Sequence, residues 1–288
     1  MKAVVTLCIG EAANNLGEVT HPLLKAYANR IGADFIVINN PNMGFDVPYY
    51  EKYQIYNLLE KYNRIIYLDT DIIVSHECPD LFKIVSEDNF GAFLVSKHTY
   101  FHDGAVKDIQ KELGDIGWDR EYFNSGVMVV SQHHRQIFAK DNNLVIWASC
   151  TRAFPDQTIL NYTVQKQGIL IDDIGYKFNH TTDPKNSRAR LGRRINQILN
   201  LYDRLLSAVS SKYKKYVEEK YKNNGYIVHY KGKEPIKHRF QSYMIHYTGK
   251  GHRLKGSKID QIQKDLSIIN NKILSQAISW IPFLERFV

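Results

Sequence analysis

Asp69 and Asp71 stand one residue apart in "NRIIYLDTDIIVS", residues 63–75, directly after the apolar run RIIYL. Burying a carboxylate without a partner costs several kcal/mol, and two close together also repel. A cation must therefore compensate them. Two carboxylates at this spacing in a turn can grip one hard divalent ion, Mn2+ or Mg2+, and leave positions for the phosphate oxygens of a nucleotide. Such a metal would bridge a diphosphate and neutralise its charge as a leaving group. The plainer reading is that the pair caps the next helix or meets surface lysines.

The elements that must position this pair follow from periodicity. "AVVTLCI" is a buried strand, and Val19, Leu23, Leu24, Tyr27 and Ile31 recur at helical spacing over residues 18–31. "DFIVI" is a second strand. Residues 50–62 place Tyr53, Tyr56, Leu58 and Leu59 on a second helix, and "RIIYL" is a third strand. Strand–helix–strand–helix–strand predicts right-handed crossovers and a parallel sheet, with ligands outside the carboxyl ends of the strands. The two aspartates stand at such an end. Further on, "FGAFLVS" and "GVMVVS" read as strands joined by a loop from His98 to Arg120, and "FPDQTILNYTVQK" as a turn into a helix with Ile159, Leu160 and Val164 inward.

The composition is that of a globular protein, with 44% hydrophobic and 24% charged residues among 288. Three scattered cysteines, none in a C-x-x-C pair, argue against a disulfide framework or a zinc site and for a reducing compartment. "MKAVVTLCIG" reads as a strand rather than a signal peptide, and no run approaches a membrane span. A cytoplasmic protein is expected, with peripheral membrane contact open. The net charge of +8 is local: residues 185–222 hold eleven Lys/Arg against three acids, a surplus equal to the whole. Within them Ile195, Ile198, Leu199, Tyr202, Leu205, Leu206 and Val209 form one stripe of an amphipathic helix flanked by Arg193 and Arg194. Three readings compete: a solvated face, contact with anionic lipid, or nucleic-acid binding. No nucleic-acid motif accompanies the charge, and lipid or acceptor contact is preferred.

"YLDTDIIV", "YFNSGVMVV", "PDQTILNY" and "IHYTGKG", in this order over residues 1–250, resemble the glycogenin-like retaining glycosyltransferases, which include lipopolysaccharide galactosyl- and glucosyltransferases. The resemblance implies an α/β GT-A fold: a mostly parallel, Rossmann-like nucleotide-binding sheet flanked by helices. It also implies a metal-dependent enzyme taking sugar from a nucleotide donor, usually UDP-linked, to a glycan or lipid-linked acceptor. Asp69 and Asp71 then become the metal pair, with Asp69 also near the donor's ribose. Asn124 and Ser125 in "FNSG" become donor-sugar contacts; on residue type alone "NSG" could be a plain turn. Asp156 and Gln157 match the acid–amide pair beside the anomeric carbon, and Asp156 could equally cap its helix. Thr6 would line the base pocket. Lys52 matches a lysine ahead of the aspartates, although a solvated helix lysine reads almost as well.

A neutral imidazole would complete the site, and it favours Mn2+ over Mg2+. His246 and His229 compete for this role. His246 is preferred because "YMIHYTGKG" supplies a strand followed by glycines, so that Gly249 and Lys250 can approach phosphate. The chain departs from the family twice. Where relatives end the phrase H-x-x-G-x-x-K, this sequence has His252, with Lys250 and Arg253 nearby. Where relatives carry a sugar-reading aspartate after the strand matching "GAFLV", it has Ser96 and Lys97, which leaves the donor sugar open.

The expected organisation is a transferase domain over 1–255, with the basic segment 185–222 as a helical insertion and a helical tail over 256–288 in which Ser257 and Asp260 could form a capping pair. Two rivals remain at this stage. A D-x-D phosphohydrolase would place its nucleophile after the first strand, not the third. A non-catalytic glycan-binding protein on the same fold would be expected to have lost the metal ligands.

Overall fold

Val4 and Val5 lie fully buried in β1 (Lys2–Leu7), the strand at the centre of the first half of the chain. The computed structural model describes residues 1–98, 102–149, 155–181, 242–248 and 258–267. β1 pairs in parallel with β2 (Asp34–Ile38) on one side and with β3 (Arg64–Leu68) on the other. The parallel three-strand opening expected from periodicity is therefore present. β3 is buried along its whole length: Ile65–Leu68 is the apolar run of a strand covered on both faces, and the buried Arg64 guanidinium donates to the Phe82 and Val85 carbonyls.

The sheet continues through β6 (Phe123–Ser131), β5 (Phe90–Leu94) and β7 (Ile171–Asp173), giving the order β2-β1-β3-β6-β5-β7. β6 alone runs against its neighbours β3 and β5, while β7 pairs in parallel with β5. A second sheet of three short strands, β4 (Ile72–Val74), β9 (Met244–His246) and β8 (His180–Thr181), adjoins the carboxyl end of β3.

Helices cover the large sheet, and three differ from the sequence expectation. α1 runs over Glu11–Arg30 rather than 18–31, because Glu11–Gly17 is too polar to show helical periodicity. The expected helix 50–62 divides into a 3-10 helix, Pro48–Gln54, and α2 (Ile55–Lys61). Its first turn is pinned sideways, for the buried Glu51 carboxylate accepts the Asn42 and Met43 amides and the Gln54 side chain. A helical turn, α4 (Val95–His98), leads into the stretch expected as loop from His98 to Arg120, and that stretch contains α5 (Asp103–Leu113), which buries Val106 and Ile109; the short α3 (Leu81–Ile84) precedes both. "HDG" reads as a turn and conceals the start of α5.

α6 (Asn142–Ala148) and α7 (Pro155–Lys166) follow, and α7 buries Ile159, Leu160 and Val164 as expected. Residues 258–267 form a last described helix. No helix among the described residues is long and apolar enough to cross a membrane. The basic segment 185–222, His229, Gly249, Lys250, Ser257 and most of the tail lie outside the described residues.

Candidate active site

β3 ends at Leu68, and the Asp69 amide donates to the Gly126 carbonyl of β6 at 2.8 Å. The chain then turns through Thr70. β4 pairs antiparallel with β9 so that Ile72 lies opposite His246, and the Tyr247 amide donates to the Asp71 carbonyl at 3.0 Å. One turn and one strand pairing thus bring two carboxylates and an imidazole together. From α1, the Thr20 hydroxyl donates to the Thr70 carbonyl at 2.7 Å, and the His21 ring bonds the Thr70 hydroxyl.

His246 Nε2 lies 3.4 Å from Asp69 Oδ2 and 3.2 Å from Asp71 Oδ1, and the three groups can offer ligand atoms within 4.8 Å of one another. The remaining oxygens are taken. Asp69 Oδ1 accepts from the Tyr67 hydroxyl at 2.8 Å and faces Lys52 Nζ at 3.2 Å, while Asp71 Oδ2 accepts from Lys258 Nζ at 2.6 Å. Each carboxylate therefore gives one oxygen to a lysine and turns the other toward His246. Two oxygens and an imidazole nitrogen suit a borderline divalent ion such as Mn2+.

Burial raises the pKa of both aspartates. Lys52 and the bonds from His246 and Tyr67 outweigh it at Asp69, and His246 and Lys258 at Asp71, so both stay below the usual carboxylate range. Burial likewise lowers His246, but Asp71 and then Asp69 lift it to about 9, so without a metal the imidazole is the cation between them.

The second nitrogen of His246 fixes how the ring presents itself. Nδ1 lies 3.0 Å from Asn179 Oδ1; Asn179 Nδ2 donates to Asn124 Oδ1, and Asn124 Nδ2 to Gln157 Oε1. Two backbone groups set the direction of this chain, because the Ser125 amide donates to Gln157 Oε1 and the Gly126 amide to Asn124 Oδ1. Asn179 Oδ1 can then only accept, so Nδ1 carries a proton and Nε2 faces the carboxylates. Gly126 makes room for the ring, since a Cβ there would lie 2.2 Å from His246 Cε1.

Lys52 is buried, not solvated. Its Nζ meets Asp156 Oδ2 at 2.8 Å and Ser125 Oγ at 3.3 Å besides Asp69. Burial lowers its pKa, but Asp156 and then Asp69 more than reverse this, so it stays protonated. Asp156 and Gln157 occupy the first turn of α7, which the Asn161 side chain bolts to β6 through both the amide and the carbonyl of Phe123. Thr6 is fully buried in β1, its hydroxyl without a partner among the described residues. A cleft of about 660 Å3 opens between α1 and β2, lined in part by Cys8, Asn14, His21, Phe35 and Asn39. Thr6, Lys52, Asp69, Asp71, Asn124, Ser125, Asp156, Gln157 and His246 are described, and all but Thr6 join one polar network. Residue type did not point to Tyr67, Asn179 or Lys258.

A family model described as Glycosyl transferase family 8 matches residues 41–237. Among solved structures, an active-site mutant of LgtC is similar over 92% of this chain and 95% of its own, at 14% identity and a TM-score of 0.50. The galactosyltransferase LgtC in complex with donor and acceptor sugar analogs is similar over 91% and 94%, at 14% identity and a TM-score of 0.46. A glycosyltransferase involved in glycosylation of the major capsid of PBCV-1 is similar over 91% and 99%, at 11% identity and a TM-score of 0.47. No curated protein matches. The first of these likenesses agrees with the expected GT-A fold.

Proposed function

Because the chain belongs to glycosyl transferase family 8 and is therefore a glycosyltransferase, we propose that it moves a sugar from a UDP-sugar to a glycan or lipid-linked acceptor, using a divalent cation, Mn2+ or Mg2+, held by Asp69, Asp71 and His246. One observation carries this reading: His246 Nε2 and one oxygen of each aspartate converge, while every other polar atom of the three side chains has a protein partner. When bound, the cation would supply Lewis-acid neutralisation of the diphosphate leaving group.

The chain's own residues account for the rest. Asn124, Ser125, Asp156 and Gln157 form a polar wall beside the metal ligands and would bind the sugar hydroxyls of the donor. Asp156 would also stabilise positive charge developing at the anomeric carbon. Lys52 ties this wall to Asp69, so the metal ligands and the sugar wall keep a fixed spacing, which is positioning catalysis. Thr6 would border the base, and Gly249 and Lys250 would meet the diphosphate. Retention of anomeric configuration is taken from the family resemblance. The acceptor hydroxyl would attack from the leaving-group face, with the departing phosphate taking its proton. Contact with an anionic membrane through residues 185–222 rests on their charge alone.

A panel of UDP-sugars, each assayed for UDP release with Mn2+ and with EDTA, tests the reading. One sugar turned over only with metal, and not by Asp71→Ala, supports it. Turnover unaffected by EDTA or by Asp71→Ala would remove the metal from the mechanism.

A further inference from the structure

Thr70 separates the two aspartates, and α1 holds both its carbonyl and its hydroxyl. The carbonyl accepts from the Thr20 hydroxyl at 2.7 Å, and the hydroxyl bonds His21 Nε2 at 2.9 Å. The same hydroxyl lies beside the Cys8 thiol, where it partly offsets the rise in pKa that burial causes. Thr70 is buried and β-branched, so a partner at its hydroxyl holds a single χ1 rotamer. His21 is half-buried in the wall of the cleft between α1 and β2, its ring edge-on to Phe35 at 5.7 Å between centroids. Among the described residues Thr70 is the ring's one hydrogen-bonding partner.

At this level α1 departs from a good helix sequence. Gly17 and Pro22, of the two least favourable residue types in a helix interior, flank Thr20 and His21. Gly17 has a steric reason. His21 lies one turn on along the same face, and a Cβ on Gly17 would lie 2.6 Å from its Cε1 and 2.9 Å from its Nε2. A side chain there would push the ring off Thr70. A local conflict of this kind is expected where a segment serves a site. The geometry points to His21 as a positioning residue: seated over Gly17, it locks Thr70, and with it the turn on which Asp69 and Asp71 stand, before the donor nucleotide binds. The inference rests on the donor site proposed above and adds a device that preorganises it.

The test is calorimetric titration of the full chain with UDP in Mn2+, beside urea denaturation of the same proteins. His21→Leu removes the bond to Thr70, whereas the amide of His21→Gln can still reach the hydroxyl. His21→Leu is expected to weaken UDP binding about tenfold, and His21→Gln to restore most of that loss. Thr70→Val removes the hydroxyl from the other side and should match His21→Leu, while Thr70→Ser should bind UDP as the unaltered chain does. The double variant His21→Leu/Thr70→Val should stay near a tenfold loss, where independent effects would multiply to about a hundredfold. Lower urea stability of His21→Leu with undiminished UDP affinity overturns the inference and leaves the ring a structural role. So does a hundredfold loss in the double variant. If His21→Leu folds poorly, Thr70→Val and Thr70→Ser decide the matter, since equal UDP affinity in those two overturns it. An unaltered chain that binds no UDP removes the donor site and this inference together, an outcome distinct from one confined to the variants.

Discussion

His246 donates its Nδ1 proton to Asn179 Oδ1 across 3.0 Å, and Asn179 in turn donates to Asn124. One amide therefore sets the tautomer of a metal-facing imidazole and holds a residue of the sugar wall. Asn179→Ala should free the ring to rotate and to protonate either nitrogen. Loss of such an outer partner typically costs 10- to 100-fold in metal affinity, and about that loss is expected for Mn2+ by titration calorimetry. An affinity unchanged by the substitution would mean that His246 is oriented by something else.

Gly126→Ala tests the same ring from its other side. The added Cβ would lie 2.2 Å from His246 Cε1 and 2.9 Å from Asn124 Oδ1, so the imidazole must move. Overpacking of this kind costs about 1–3 kcal/mol, which urea denaturation would register as a modest loss of stability. Mn2+ affinity should fall far more than stability does, because the displaced ring carries the ligand atom Nε2.

Lys52→Met removes the cation between the buried Asp156 and the half-buried Asp69. Breaking a buried ion pair by deleting one partner costs about 3–5 kcal/mol, and the Lys52 side chain is only 6% exposed. Denaturant titration should show a loss of that order, with part recovered when Asp156→Asn is combined with it. A loss within the range of a surface substitution would show that Lys52 is solvated in solution.

The pH dependence has a definite sign. Without metal, the folded pKa of His246 is raised from 6.5 to about 9. Its stabilisation is therefore complete below the unfolded value and is lost as pH rises through about 9. Thermal melts of metal-free protein should fall across that window, and His246→Gln should flatten the fall. Mn2+ binding runs the other way, since the ion displaces the Nε2 proton. Its apparent affinity should rise about tenfold per pH unit and level off near pH 9. Asp69 and Asp71, both depressed, contribute stability that is lost only as pH falls below the ordinary carboxylate range.

The aspartate pair was legible in the sequence because two charges at the end of an apolar strand contradict burial unless something compensates them. The three parallel opening strands were legible because each alternates with a helical pattern. Asn179, Tyr67 and Lys258 were not. Asn179 follows an unremarkable "GYKF", and its importance comes from β8 pairing beside β9. Lys258 is one of many lysines near the C-terminus, distinguished only by the docking of its helix against β9 and α1. Tyr67 looks like any strand aromatic until the turn brings Asp69 back over its hydroxyl. Asn179 and Lys258 depend on contacts between distant segments, which local pattern does not encode. The helix α5 was hidden for a different reason, because Asp103 and Gly104 read as a turn and only Val106 and Ile109 mark its inner face.

The central claim is that Asp69, Asp71 and His246 hold a divalent cation that grips a nucleotide diphosphate. UDP binding measured calorimetrically with Mn2+ and again with EDTA tests it without requiring the donor sugar or the acceptor. The account predicts UDP binding at least about tenfold tighter with Mn2+, with that gain lost in both Asp71→Ala and His246→Ala. Equal UDP affinity in Mn2+ and in EDTA would contradict it.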